Sequence, residues 1–294
     1  MLLLVLLAAI WGSSFLFIRL SVAYFGPVPL TASRSLIAAC TLVPIMLLHG
    51  SWPVFRQYWK HLLIVGLIST ALPFTFLSIS TQYTSAGFAS ILNAFTPIFS
   101  AIIAWLWLQE KLTVPAMVGI GLSFVGLLVM VLDRETIIAS FPLLPVLAGM
   151  AATFLYGLTG NYSRKFLVGV PPLVVSAGCQ VFSTLCLMPV ALLQWPAEPV
   201  PMVGWLCAAV LGILCTGLAF IIYFHLLATV GVARTVIVTY LAPVFAMLWG
   251  FLFLAENVTL KMLIGAGLIM LGIGLTTWRA AGVAKPMASV GTPR

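Results

Sequence analysis

Ten stretches of mostly apolar residues follow one another along the chain, separated by short segments that carry most of the charges. A helix needs about 20 apolar residues to cross the hydrocarbon core of a bilayer, and each stretch is close to that length. Only 6% of the residues are charged, against roughly 25% in ordinary soluble domains. The sequence therefore predicts an all-α membrane protein with ten transmembrane helices and no sizeable soluble domain.

The first apolar stretch could pass for the core of a signal peptide, and the C-terminal tail has no apolar period. The first stretch has no basic segment ahead of it and no convincing small-residue cleavage site after it, so we interpret it as a helix rather than a signal peptide. The tail 279–294 is rich in Ala, Gly, Pro and Ser, and we predict that it is disordered and cytoplasmic. The predicted spans lie near residues 2–20, 30–48, 62–81, 83–108, 113–132, 143–163, 171–194, 204–227, 231–254 and 259–278.

The second half of the chain repeats the first. A shift of 146 positions pairs Thr70 with Thr216, Phe74 with Phe220, Pro97 with Pro243 and Glu110 with Glu256, and a shift of 145 pairs Arg19 with Arg164. A repeat of five helices is odd in number, so its second copy enters the membrane from the opposite side. We therefore predict two inverted five-helix repeats, 1–132 and 143–278, around a central cavity.

The basic residues indicate topology rather than a nucleic-acid site. The net charge is +8, but Lys and Arg are scattered in ones and twos and form no basic patch. With both termini in the cytoplasm, nine of the 13 basic residues fall inside, which satisfies the positive-inside rule. Both termini are therefore predicted to be cytoplasmic. The nine are Arg56, Lys60, Lys111, Arg164, Lys165, Arg234, Arg279, Lys285 and Arg294.

The sequence lacks the signatures of an enzyme or a channel. It contains no His-Glu-x-x-His motif, no nucleophile with a base at suitable spacing and no paired carboxylates within a span, so we predict no enzyme, cofactor or metal. No filter-like sequence or ring of charge suggests a channel. The five cysteines lie inside apolar runs and are odd in number, which argues against a disulfide framework. A carrier remains the best interpretation.

The first helix contains Trp11-Gly12-Ser13, and each half has a Pro-containing helix that ends in Glu, at Pro97 to Glu110 and Pro243 to Glu256. As a set these motifs resemble the EamA-type drug/metabolite transporter superfamily over residues 1 to 278. The resemblance implies a bacterial inner (plasma) membrane protein whose helices 1, 3, 4, 6, 8 and 9 surround a cavity and work by alternating access.

The same resemblance bears on the substrate. It implies export of small metabolites, with aromatic or hydrophobic amino acids as the expected substrates, as in YddG-like exporters. Drugs or other metabolites are the alternative. The expected partners are the lipid bilayer and a small-molecule substrate, without nucleic acid; the sequence leaves the oligomeric state open.

Polar residues on the fourth span recur with helical spacing. Ser90, Asn93, Pro97 and Ser100 are three, four and three residues apart, which places them on one helical face. We predict that this face borders the cavity, and the alternative is interhelical hydrogen bonding, a common role of such residues in membranes. Pro97 and Pro243 are predicted hinges, with static kinks as the alternative.

The remaining candidates are aromatic residues, each with a polar neighbour, on helices that the resemblance places at the cavity. Aromatic rings would suit an apolar substrate, although each ring alone could equally contact lipid or pack between helices. The full set of predicted cavity residues is Trp11, Ser14, Thr70, Phe74, Ser90, Asn93, Tyr156, Thr216, Phe220, Tyr223, Thr239 and Tyr240.

Charged residues are nearly absent from the spans. No Asp or Glu lies in the middle of a predicted span, which favours transport without proton coupling, although His225 could titrate. We expect Arg19 and Arg34 to snorkel to the headgroups, with attraction of a substrate carboxylate as the alternative. Glu110 and Glu256 oppose the dipoles of the helices they end, so each is expected to have a cationic partner or a gate role.

Overall fold

The computed structural model describes residues 1–132, 143–230, 235 and 237–277, and the regular secondary structure in these ranges is helical. Ten helices in these ranges are long and apolar enough to cross a membrane. The predicted all-α membrane fold is confirmed. The predicted disordered tail, 279–294, lies outside the described residues.

The ten spans follow in chain order with short connections. They are α1 (Leu2–Phe25), α2 (Pro27–Leu48), α3 (Trp52–Tyr83), α4 (Ala86–Leu108), α5 (Val114–Val131), α6 (Leu143–Phe166), α7 (Pro172–Leu193), α8 (Met202–Gly212, Ile213–Leu218 and Ala219–Val230), α9 (Ile237–Leu254) and α10 (Leu260–Thr277).

Prolines and capping side chains set where several helices begin. Pro27 and Pro172 occupy the first position of α2 and α7, where a backbone N–H has no helical partner to lose. The hydroxyls of Ser85 and Thr113 accept hydrogen bonds from the N–H three residues later, at 3.1 Å and 3.4 Å. Between α1 and α2 the chain turns at Gly26 alone, whose φ of 76° favours glycine.

The third span is longer than predicted. It begins at Trp52 rather than near residue 62, because its first turns are amphipathic. Arg56 and Lys60 are exposed there, whereas Phe55 is buried. Charges at the edge of the apolar region lower the local hydropathy, so hydropathy alone places the start of such a helix too late.

The most extensive contacts between helices follow the repeat. When each helix of one of these pairs is replaced by its counterpart five helices away in the chain, the result is another pair in contact. α1 packs on α9 and α6 packs on α4, while α3 packs on α7 and α8 packs on α2. α5 and α10 pack on each other. Two inverted repeats give this pattern of contacts. The repeat boundaries 1–132 and 143–278 remain our proposal.

Glycines allow the backbones of these symmetric helix pairs to approach closely. A Cβ on Gly12 of α1 would lie 2.7 Å from the Ala242 carbonyl oxygen of α9. A Cβ on Gly157 of α6 would lie 2.7 Å from the Ser100 nitrogen of α4. Gly12 and Gly157 are aligned by the sequence repeat, so the same small-residue contact holds both pairs of helices together.

Three of the described spans are interrupted. π-helical turns lie within α3 at Leu67–Ala71 and within α8 at Ile213–Leu218. α4 is divided into Ala86–Asn93 and Thr96–Leu108. Irregular backbone is tolerated at membrane depth where protein covers it or where it borders a cavity, and the interruptions therefore indicate where a cavity should be sought.

Candidate functional site

A cavity of about 580 Å³ lies between the two repeats. Its volume falls within the roughly 300–1,000 Å³ typical of small-molecule sites. All six helices expected from the resemblance contribute to the wall. α2 and α7 also contribute, through Arg34 and through Val175, Ser176 and Cys179. The expected six-helix wall is therefore incomplete.

Most of the residues predicted from the sequence lie on this wall, including both prolines proposed as hinges. Whether they contact a substrate remains a prediction. The predicted residues that line the cavity are Trp11, Ser14, Thr70, Phe74, Ser90, Asn93, Pro97, Tyr156, Phe220, Tyr223, Thr239 and Pro243.

Two predicted cavity residues lie elsewhere. Thr216 is fully buried, and its hydroxyl donates to the Leu211 carbonyl at 2.8 Å and accepts from Arg34 Nε at 3.0 Å. Tyr240 packs among apolar side chains of α4 and α10, and its hydroxyl lies 2.7 Å from that of Thr277. Thr216 therefore contacts Arg34 rather than the cavity. Tyr240 connects α9 to α10 through its hydroxyl.

The π turn of α3 presents polar groups to the cavity. Ser69 and Thr70 both lie on the wall. In a π turn the Ile68 carbonyl would pair with the nitrogen of residue 73, but that residue is Pro73, which has no N–H. The hydroxyl of Thr159 on α6 donates to this carbonyl at 3.0 Å. The same hydroxyl lies 2.9 Å from the Leu155 carbonyl of its own helix, so Thr159 places a shared polar contact at the interruption of α3.

The break in α4 divides the predicted polar face. Ser90, Asn93 and Pro97 line the cavity. Ser100 does not, because its hydroxyl and carbonyl accept hydrogen bonds from Asn161 of α6 at 3.2 Å and 2.9 Å. The interhelical alternative therefore holds at Ser100. Asn93 Oδ1 is buried without a hydrogen-bond partner among the described residues.

Aromatic rings form one side of the cavity. The ring centroid of Trp11 lies 5.4 Å from that of Tyr223 and 6.5 Å from that of Phe220, the second pair in an edge-on arrangement. These separations are typical of attractive aromatic pairs. The group joins α1 to α8 and gives the cavity an apolar surface that can accept a flat or branched side chain.

Arg34 was expected to snorkel to the headgroups, and the structure contradicts that expectation. The side chain is only 6% exposed and lies on the cavity wall. Its Nε donates to Thr216 at 3.0 Å, and its guanidinium carbon lies 3.8 Å above the centre of the Phe74 ring. The α2 sequence marks Arg34 only as a single charge in an apolar run, which does not reveal the direction of its side chain.

Among the described residues, the cavity wall extends nearer to one face of the protein than to the other. We call the face where α1 begins the N-terminal face and the other the opposite face. The wall extends to Leu167 and Val170, at the α6–α7 connection on the N-terminal face. Towards the opposite face it ends at Ile18, Leu77 and Ser90, without described residues of the α1–α2 or α3–α4 connections.

Polar contacts tie the opposite face together. Glu256 accepts hydrogen bonds from the Ala86 N–H at the start of α4, where the positive end of the helix dipole lies. Arg19 donates to the carbonyls of Thr81 and Gln82 at the end of α3 rather than reaching the headgroups. Burial raises the pKa of Glu256, while backbone hydrogen bonds and Arg19 act to lower it.

On the N-terminal face the aligned residues make a different contact. Glu110 pairs with Arg164 at 2.6 Å, and both side chains are at least half exposed. Glu110 and Glu256 each follow a residue in the left-handed conformation, Gln109 with φ of 57° and Ala255 with φ of 51°. The backbone turns alike at both sites, so the difference between the faces lies in what each carboxylate contacts.

Comparison with known proteins agrees with this architecture. The family model described as "EamA-like transporter family" matches residues 1–132 and 143–278. A protein named "Uncharacterized transporter" from Archaeoglobus fulgidus is 26% identical over 275 residues, which cover 92% of this chain and 95% of that protein. A known crystal structure superposes with a TM-score of 0.64 at 20% identity, covering 96% of this chain and 98% of that one. At that identity the superposition shows a shared fold.

One relative carries a more specific name. A "Probable terminal-alkyne amino-acid exporter" from Streptantibioticus cattleyicolor is 25% identical over 297 residues, which cover 98% of this chain and 96% of that protein. "Uncharacterized transporter YvbV" from Bacillus subtilis is 24% identical over 298 residues, with 99% and 94% covered.

Proposed function

The chain belongs to the EamA-like transporter family, and from this premise we propose that it exports amino acids with aromatic or hydrophobic side chains by alternating access. The activity resembles that of YddG-like exporters. That the protein is a membrane transporter follows from its family and its ten apolar helices.

The composition of the cavity wall is the main support for this substrate class. An amino acid combines a short polar end with a side chain of variable size. The wall provides aromatic rings at Trp11, Phe220 and Tyr223 and polar groups at Ser90 and Asn93. The similarity to a probable amino-acid exporter supports the same class.

The difference between the two faces supports alternating access. The described cavity wall extends towards the N-terminal face, while the contacts of Glu256 and Arg19 hold the opposite face together. In a transporter built from inverted repeats, exchanging the conformations of the two repeats reverses the open face. The described arrangement then corresponds to the state that loads substrate from the N-terminal side.

Export requires the N-terminal face to be cytoplasmic, as the distribution of basic residues predicts. Single cysteines at Gln109 and Glu198, which are exposed in connections at the N-terminal and opposite faces, test this orientation. In a background with the five native cysteines replaced, a membrane-impermeant maleimide added to intact cells should label position 198 and leave position 109 unlabelled. Labelling of position 109 alone would reverse the orientation and the direction of loading.

Counterflow in proteoliposomes tests the substrate class. Vesicles preloaded with unlabelled phenylalanine or leucine should take up the radiolabelled amino acid in a saturable manner, while a neutral sugar and an organic-cation drug should not exchange. Exchange of the drug or sugar without any amino acid would favour the alternative, a multidrug or other metabolite exporter.

Variants connect the activity to the cavity. Trp11→Ala and Asn93→Leu should reduce counterflow at normal membrane abundance, because both residues lie on the wall. Trp105→Ala is the matched control, since Trp105 is 48% exposed on the outside of α4. Equal activity of all three variants would exclude Trp11 and Asn93 from the binding site.

A further inference from the structure

Arg34 is the one charged side chain among the described residues that line the cavity. The described acidic residues are engaged or located elsewhere: Glu110 pairs with Arg164, Glu256 caps α4, and Glu198 is exposed in the α7–α8 connection. Within the described part of the chain, no carboxylate therefore neutralises Arg34. A buried cation in a membrane protein is costly, which makes an ionisable residue in this position a functional candidate.

The hydrogen-bonding groups of Arg34 are only partly used. A guanidinium has five N–H donors. The Nε–H donates to Thr216, and the Phe74 ring covers one face of the guanidinium plane. The two terminal nitrogens have no hydrogen-bond acceptor among the described residues, and they carry the parallel N–H groups that bind a carboxylate in bidentate geometry.

The contacts of Arg34 hold its guanidinium in a fixed position. Thr216 lies in the π turn of α8, where its hydroxyl is itself hydrogen-bonded to the Leu211 carbonyl. Phe74 stands on α3, so three helices determine where the terminal nitrogens point. A side chain fixed in this way loses little conformational entropy when a ligand binds, in contrast to a mobile surface arginine.

We propose that Arg34 binds the carboxylate of the transported substrate and thereby restricts transport to molecules that carry one negatively charged group beside an apolar body. This inference rests on the proposed function and names the group that the site recognises. One guanidinium neutralises one negative charge, which fits a carboxylate better than a doubly charged phosphate.

Ligands that differ by one group at a time test the proposal. Purified wild-type protein in proteoliposomes is assayed by inhibition of labelled phenylalanine counterflow with phenylalanine, 3-phenylpropionate, phenethylamine and phenylalanine methyl ester. If phenylalanine gives no counterflow, binding of the same four compounds is measured by thermal shift. Compounds with the carboxylate should bind about tenfold to a hundredfold more tightly than those without it, the range expected for a hydrogen bond to a charged group.

Substitutions then assign that preference to Arg34. Arg34→Gln should remove the preference for the carboxylate, and Arg34→Lys should restore part of it. Thr216→Val removes the hydrogen bond to Nε while keeping the charge, so it should weaken the preference without abolishing it, and it serves if Arg34→Gln does not fold. Arg56→Gln removes one exposed positive charge at the start of α3 and should leave the preference unchanged.

The outcomes separate this inference from the proposed function. Amino-acid transport with a carboxylate preference that survives Arg34→Gln would overturn the role of Arg34 and leave the proposed function standing. Binding of 3-phenylpropionate without transport of any amino acid would overturn the proposed function and support the role of Arg34. Preference for the amine or the ester in the wild type would overturn the carboxylate proposal.

Discussion

Glu256 holds the start of a helix in the first repeat by accepting hydrogen bonds from the backbone N–H of Ala86, with its two carboxylate oxygens 2.9 Å and 3.0 Å from that nitrogen. The carboxylate opposes the dipole of α9, which it follows, and complements the dipole of α4, which it caps. Its expected cationic partner is therefore chiefly a helix N-terminus rather than a side chain.

The aligned pair on the other face is arranged differently. Glu110 and Arg164 contact each other at the surface. Glu256 and Arg19, their counterparts in the repeat, instead bind backbone groups of α4 and α3. Surface ion pairs contribute about 0–1 kcal/mol, whereas a capping interaction contributes about 0.5–2 kcal/mol. The opposite face is therefore held more firmly than the N-terminal face.

Removing the Glu256 cap should loosen the opposite face. Glu256→Ala leaves the Ala86 N–H without its acceptor, at a cost of about 1 kcal/mol to the closed arrangement. A cysteine placed at Ile18, where the cavity ends, should then react severalfold faster with an impermeant maleimide added from that side. Glu198→Ala removes an exposed carboxylate in the α7–α8 connection and is the control. Equal reaction rates in the two variants would contradict the gating role.

The raised pKa of Glu256 predicts a pH dependence of stability. Because burial raises this pKa in the folded state, the folded protein binds more protons than the unfolded chain at pH values between the two pKa values. The contribution of this group to the free energy of unfolding is thus highest below the ordinary carboxyl pKa and falls as the pH rises through the folded pKa. Thermal denaturation at a series of pH values above about 4.3, the ordinary pKa of Glu, should show this fall in the wild type.

The same denaturation series with Glu256→Gln, which cannot ionise, isolates this contribution. The variant should show a smaller loss of stability over that pH range than the wild type. Glu110→Gln is the matched control, because Glu110 is half exposed on the N-terminal face. A Glu256→Gln profile that parallels the wild type would show that another group causes the pH dependence.

The proline in α4 should be the more important hinge. The helix is interrupted at Ala94–Phe95, just before Pro97, whereas α9 continues through Pro243. Pro97→Ala supplies an N–H that can bond to the Asn93 carbonyl and favours a straight helix by up to about 3 kcal/mol. Counterflow turnover should fall by about tenfold or more, since tenfold corresponds to only about 1.4 kcal/mol of barrier.

Pro243→Ala is the matched change in the second repeat and should reduce turnover less. Substrate affinity, measured by the concentration dependence of counterflow, separates a slower conformational change from damage to the binding site, because Pro97 also lines the cavity. Equal turnover of Pro97→Ala and the wild type would favour a static kink.

Transport should be downhill, driven by the substrate gradient. The described spans contain no Asp or Glu side chain at their centres, and His225 is exposed on α8. The described cavity wall contains no carboxylate or histidine, the groups that usually couple a carrier to protons. Counterflow should persist at equal pH and zero voltage, and an imposed proton gradient should not raise the steady-state accumulation.

Accumulation that appears only with the proton gradient, and that an uncoupler abolishes, would refute downhill transport. His225→Gln is then the first variant to measure. If this variant keeps counterflow but no longer accumulates substrate with the proton gradient, His225 is the group that carries the proton. Retained coupling in His225→Gln would shift the search to the ionisable groups of the substrate.

The number of spans and the relation between the two halves were predictable from the sequence. Both depend on local properties: the length of an apolar run limits where a helix can cross a membrane, and aligned residues such as Pro97 and Pro243 reveal a repeat without any knowledge of contacts. The start of α3 at Trp52 was missed because amphipathic turns at the membrane edge carry charges.

Only the tertiary structure decided which side chains meet in the cavity. The direction of Arg34 depends on Thr216 and Phe74, which lie far away in sequence. Ser100 does not line the cavity, and its hydroxyl and carbonyl instead accept hydrogen bonds from Asn161 of α6. Helical periodicity identifies residues on one face of a helix, but it cannot predict which of them a neighbouring helix will engage.

The difference between the two faces was also determined by tertiary contacts. The sequence supplies nearly equivalent residues at the two ends of the protein, Glu110 with Arg164 and Glu256 with Arg19, and either end could close with them. The two ends differ in which carboxylate caps a helix, and the Glu256 cap requires that α4 packs against α9. A sequence with two similar halves therefore determines the pair of possible states, while the packing of the helices selects one of them.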